Sequence, residues 1–159
     1  MIKIITTALL ASIVLTTSGF VSANVTYFSG ALCQPNSTND ASKIGYTGFG
    51  VHNVATTGAG VSCPGQIPPG DNVVVSGQAV VFDRHPTVDV CCTLLSQGAD
   101  GTVVASMQVC SDKSGGPSQT LNYFFPFLLT ASQAFFSCSI PGATSSGVSH
   151  VTSYRIVGD

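Results

Sequence analysis

The stretch DVCCTLLSQGADGTVVASMQVC, residues 89–110, decides how the chain is read. Asp100-Gly101 is a pair suited to a two-residue type I′ hairpin, since both central positions need positive φ, which glycine adopts freely and aspartate tolerates. A turn there sets residue 99 opposite 102, and the same register sets Cys91 opposite Cys110. One face then carries Val90, Cys92, Leu94, Val103, Ala105, Met107 and Val109. The other carries Asp89, Cys91, Thr93, Ser106, Gln108 and Cys110. Opposed residues of an antiparallel pair stand roughly 4.5–5.5 Å apart at Cα, within reach of a disulfide. Turn, alternation and cysteine register together predict a hairpin with an outward Cys91–Cys110 bridge.

Neighbouring strand residues point to opposite faces, so Cys92 looks into the core. Cys138 lies in the apolar alternation Ala134, Phe136, Cys138, Ile140, which makes Cys92–Cys138 the expected core bridge. Cys33 and Cys63 then remain, closing the N-terminal region. Six cysteines allow 15 pairings, and register and facing select this one.

Outward from the hairpin, short runs rich in Val, Ile, Thr, Phe and Tyr alternate with Gly, Pro, Asn and Asp clusters. They read as strands near 24–29, 44–53, 58–63, 72–76, 78–84, 87–96, 102–110, 119–125, 133–140 and 148–157. Segment 34–43 reads as an irregular insert holding one helical turn. The fold class is therefore all-β: a two-sheet antiparallel sandwich, jelly-roll or Ig-like, stapled by disulfides. A closed barrel is the second choice.

Residues 1–23 have the layout of a secretory signal peptide: Lys3, an apolar run from Ile4 to Leu15, and the small-residue close Val21-Ser22-Ala23. Cleavage there leaves residues 24–159 as one β-sandwich domain, and all six cysteines fall within it, as expected of a chain oxidised after export. Localisation is read as secreted, extracellular or periplasmic, without a membrane anchor. Only 8% of the chain is charged and glutamate is absent. The part after the leader keeps Lys43, Arg84, Lys113 and Arg155 against seven aspartates. Four scattered cations give no footprint for nucleic acid.

Cys33-Gln34-Pro35, Tyr46, Gly50-Val51-His52-Asn53 and Cys63-Pro64 resemble the N-terminal half of a family of small secreted bacterial proteins. Cys138-Ser139-Ile140-Pro141-Gly142 and Ser153-Tyr154-Arg155-Ile156 are similar to that family's ending. The resemblance implies a bacterial β-sandwich-like protein. That family has no assigned activity, so no catalytic residues carry over.

Chemistry is sparse. His52, His85 and His150 lack metal-ligand spacing, so neither metal nor cofactor is expected. No Gly-x-Ser-x-Gly elbow occurs, and a glycosidase pair would have to come from aspartates alone. Asp83, Arg84 and His85 form the densest polar cluster; the structural reading, a strand end stopped by Pro86, is preferred over a binding site. His150 reads as a half-buried histidine in the alternation Val148, His150, Thr152, Tyr154, Ile156. Tyr123, Phe124 and Phe127 are the aromatic candidates for an interaction surface, with core filling as the preferred fate.

Three functions stay open: a secreted non-catalytic structural or surface-interaction protein, a carbohydrate-binding module, and a small hydrolase. Partners would be an extracellular protein or a polysaccharide. Exposed Tyr or Phe beside Asn or Asp on one sheet face would favour the second. Histidines meeting an aspartate in a pocket would favour the third.

Overall fold

The structure, a computed structural model, describes residues 27–67, 70–112, 116–127, 129–131 and 133–158. The expected leader at residues 1–23 lies outside the described residues. The strands are β1 (Phe28–Ser29), β2 (Gln34–Pro35), β3 (Ile44–Thr47), β4 (Gly50–Asn53), β5 (Ala59–Pro64), β6 (Gly70–Val73) and β7 (Val75–Phe82). They continue as β8 (Cys91–Gln97), β9 (Val103–Cys110), β10 (Gln119–Phe124), β11 (Leu129–Ala131), β12 (Gln133–Ile140) and β13 (His150–Gly158). The helical turn expected in 34–43 is α1 (Thr38–Ala41), capped by Ser37, whose Oγ accepts the Asp40 N–H and donates to the Asp40 carboxylate.

The front sheet runs β10-β7-β13-β4-β3, with β1 also paired on β13; the back sheet runs β2-β5-β12-β8-β9. Every pairing is antiparallel. The links β4 to β5, β7 to β8, β9 to β10 and β12 to β13 each cross between sheets, while β8 and β9 form a hairpin within one. Eight of the strands thus wrap in the orders 4-13-7-10 and 5-12-8-9, which makes the sandwich a jelly roll.

The inner faces alternate as a half-buried sheet requires: β7 and β12 bury every second residue. Between the sheets runs a chain of aromatic contacts. Tyr123 meets Phe136 edge-on at 4.9 Å, Phe136 meets Tyr154 at 6.2 Å, and Tyr154 stacks on Phe28 at 5.4 Å. Gly77 makes room for this chain, because a Cβ there would lie 2.9 Å from Phe136 Cζ. Burial pushes the Tyr154 phenol up to about 12, and its hydroxyl donates to the Pro64 carbonyl at 2.7 Å.

The bridges are Cys33–Cys63, Cys91–Cys110 and Cys92–Cys138, with no free cysteine among the described residues. All three lie in the back sheet. Cys92 opposes Cys138 between β8 and β12, Cys91 opposes Cys110 between β8 and β9, and Cys33 sits beside the β2–β5 pair. The expected core bridge, Cys92–Cys138, thus joins neighbouring strands.

The hairpin of residues 91–110 has the expected register at its cysteine end but a different turn. Gly101 donates to the Gly98 carbonyl and Gly98 to the Thr102 carbonyl, so Ala99 and Asp100 are central and Gly101 follows at φ 81°. That three-residue loop shifts the register by one, opposing Gln97 to Val103. A bulge at Val104 shifts it back, opposing Ser96 to Ala105 and Cys91 to Cys110. Val103, expected in the core, is 53% exposed for the same reason.

The single strand expected at 44–53 is two strands joined at Gly48-Phe49, with Gly50 at φ 124°. The strand expected at 87–96 begins only at Cys91, because residues 84–90 form a loop. A further bulge falls in β13: Val151 opposes Val81, but Ser153 opposes Val80. It places His150 and Tyr154, expected on one face, on opposite faces.

Candidate functional site

Three registers align one row of side chains across the outer surface of the front sheet. Asn122 on β10 opposes Gln78 on β7, and Gln78 opposes Arg155 on β13. Phe28 opposes Tyr154, so Tyr27 falls beside Arg155. Tyr27 Oη donates to Gln78 Oε1 at 3.1 Å, and Gln78 Nε2 donates to Asn122 Oδ1 at 2.8 Å. The Arg155 guanidinium lies 5.3 Å from the centre of the Tyr27 ring, a cation–π distance. Arg155 Nε is buried without a hydrogen-bond partner. Phe124, two residues along β10 from Asn122, stands on the same face. Tyr27 and Phe124 are 54% and 55% exposed.

Further along the same face lies a hollow of about 250 Å³ lined by Phe49, Phe82, Ser118, His150 and Thr152. Phe49, at the β3–β4 tip, is 80% exposed. His150 opposes both His52 and Phe82. The two imidazoles lie 5.1 Å apart, centre to centre, and each keeps a buried Nδ1 without a partner. Burial holds the His150 pKa below the usual histidine value, and the neighbouring His52 and Arg84 push it further down. The Arg84 guanidinium sits 4.3 Å over the Phe82 ring.

The sequence-derived candidates are dispersed. Asp83 is fully buried. Its carboxylate accepts from Ser149 Oγ at 2.9 Å, Ser111 Oγ at 2.5 Å, the His85 N–H at 2.9 Å and the Val90 N–H at 3.1 Å. It thereby organises a loop and presents nothing to a ligand. His85 Nδ1 accepts the Thr87 and Val88 N–H groups, so its ring caps the same loop. Tyr123 points inward, and its hydroxyl donates to the Cys92 carbonyl at 2.9 Å. It is core, because alternation along β10 turns odd residues in and even residues out. Phe124 and Phe127 are exposed, but only Phe124 stands in the front-sheet array, whereas Phe127 leans on Phe125 in the following loop. His52 and His150 meet each other, and His85 stays in its own loop. No group of three or more His, Cys, Asp or Glu side chains placed to hold a metal occurs among the described residues.

Tyr27, Gln78, Asn122 and Arg155 are not among the site candidates derived from sequence. Each is ordinary alone, and only three long-range registers bring them together.

No family model matches the chain, and no curated protein matches it. Among solved structures, the chain is similar to a family 6 carbohydrate-binding module whose binding sub-sites were dissected by crystallography and calorimetry. The TM-score is 0.51 at 16% identity, covering 84% of this chain and 94% of that one. It is also similar to the enzymatically active domain of tailspike protein 4 of bacteriophage CBA120, with TM-score 0.52 at 11% identity; 85% of this chain is covered, but only 18% of that one. Such identities speak for the β-sandwich fold alone.

Proposed function

We propose that this chain is an exported, non-catalytic glycan-binding module whose ligand lies along the outer surface of the front sheet. The observation that carries the reading is the row Tyr27–Arg155–Gln78–Asn122 with Phe124 beside it. It offers two half-exposed rings as stacking platforms and fixed amides between them as hydrogen-bonding groups. Sugars present alternating C–H faces and hydroxyls, which suit flat rings bordered by amides. The row is held in place before any ligand arrives, since the Tyr27 hydroxyl and the Gln78 amide are already bonded to each other. The fold of a family 6 carbohydrate-binding module agrees with the reading at the level of architecture. Export rests on the leader at residues 1–23 and on three disulfides, which need an oxidising compartment. The bacterial host remains the implication of the sequence resemblance. No helix among the described residues is long and apolar enough to cross a membrane.

The test is retention of the disulfide-intact mature protein on a panel of extracellular polysaccharides. Wild type should bind at least one. The Tyr27→Ala/Phe124→Ala variant should lose about tenfold or more, since each stacked ring contributes about 0.5–1.5 kcal/mol and tenfold is 1.4 kcal/mol. Ser106→Ala/Gln108→Ala, on the outer surface of the back sheet, should bind as wild type. Equal loss in both variants, or no retention on any polysaccharide, would overturn the proposal.

A further inference from the structure

Charge is distributed unevenly over this sandwich. Glutamate is absent, and no aspartate lies on β1, β3, β4, β7, β10 or β13, the strands of the front sheet. Asp40 is in α1, Asp71 in β6, Asp89 before β8, Asp100 in the β8–β9 turn and Asp112 after β9; Asp83 is buried beneath its four donors. The same sheet carries Arg155, His52 and His150, and Arg84 directly follows β7. Among the described residues, therefore, the front sheet carries Arg155 and no carboxylate at the row described above; Asp159, the residue after β13, lies outside the described residues.

Arg155 is the centre of that surface. It lies between Tyr27 and Gln78, its Nε is buried and unpartnered, and no carboxylate pairs with it among the described residues. Burying part of a guanidinium without a counter-charge costs free energy that a bound anion would recover. Its planar fork suits a carboxylate, which can accept two parallel hydrogen bonds. Arg155 lies against one face of Tyr27, so a pyranose stacked on the open face would present a carboxylate to this fork past the ring edge. His150, whose imidazole is held toward the neutral form by burial, stands roughly 13 Å away, counting four residues of β7 from Gln78 to Phe82 at about 3.3 Å each. That spacing spans several sugars.

We propose that the front-sheet surface selects an anionic glycan, a uronic-acid polymer, with Arg155 receiving the carboxylate of the sugar that stacks on Tyr27. This rests on the glycan-binding reading and narrows it to one class of ligand. Two arginines are too few to hold a nucleic acid by its phosphates, so the attraction depends on ring stacking as well as charge.

The experiment uses calorimetry with three polymers: polygalacturonate, the same polymer fully methyl-esterified, and neutral galactan. Wild type should bind polygalacturonate at least tenfold more tightly than the ester, and added salt should weaken that binding. Arg155→Gln should weaken binding to polygalacturonate far more than binding to the ester, so that the preference disappears, whereas Tyr27→Ala should weaken both about equally. Thermal unfolding of each variant checks that the fold is intact. If wild type binds ester or galactan as tightly as polygalacturonate and Arg155→Gln changes nothing, the anionic assignment fails while the glycan reading survives. If none of these polymers binds but another neutral polysaccharide does, the anionic assignment again fails alone. If no polysaccharide binds at all, both fail.

Discussion

A single carboxylate holds together the end of the sandwich where strands from both sheets converge. Asp83 follows β7, Ser149 precedes β13, Val90 precedes β8 and Ser111 follows β9, and all three partners bond to it. The two serines also accept backbone N–H groups, Ser149 from Arg84 and Ser111 from Val90. A buried carboxylate without a counter-ion persists because its lone pairs are filled by donors. Asp83→Asn puts an amide NH₂ where donors converge, and it should lower unfolding free energy by about 3 kcal/mol, since hydrogen bonds to a charged group contribute about 1.5–3 kcal/mol. A urea titration would read this as a lower midpoint at constant m-value. A loss under about 0.5 kcal/mol, the range of neutral surface changes, would mean that the cluster does not matter to stability. Asp83-Arg84-His85 stood out in the sequence as polar density. Its inward direction did not, because the serines that satisfy it lie 28 and 66 residues away.

At the level of elements, local pattern was legible wherever alternation ran unbroken, and failed at bulges and tight turns. β12 (Gln133–Ile140) matches its sequence boundaries, since alternation there is interrupted by nothing. β13 does not keep its face, because the extra residue at Thr152–Ser153 inverts every position beyond it. In the β8–β9 hairpin the cysteine register survives because a three-residue loop and a bulge cancel. β2 and β11 are too short to leave a pattern, and the row through Tyr27 depends on pairings that no local window contains. The two bridges of β8 give a prediction at this scale. Cys92–Cys138 closes a separation of 46 residues and Cys91–Cys110 one of 19. The loop-entropy difference favours the former by about 0.8 kcal/mol. Cys92 and Cys138 are also buried, so their loss adds a cavity cost. Cys92→Ala/Cys138→Ala should therefore unfold at lower urea than Cys91→Ser/Cys110→Ser; the reverse order would show that the hairpin bridge is the stronger constraint.

Across the whole molecule, covalent and non-covalent cohesion are divided between the sheets. Three disulfides stitch the back sheet laterally, and the front sheet, with the proposed binding surface, is joined to it by packing and chain connections. As a map of what a protease can cut, this has a further consequence. Bridges span 33–63 and 91–138, so one nick inside either interval leaves the halves covalently joined. A nick between 64 and 90 leaves nothing joining them, although each half contributes strands to both sheets. Pro86, Thr87 and Val88 in that window are exposed, the kind of loop tip that proteases attack. This is the loop that Asp83 and the His85 ring hold closed. Hydrogen bonds thus guard a segment that no cysteine protects. Under limited proteolysis with a broad-specificity enzyme, wild type should resist cleavage at 85–89, and Asp83→Asn should be cut there and fall into two separable fragments on non-reducing gels. Equal resistance of the two proteins would show that the loop is kept shut by something other than the buried carboxylate.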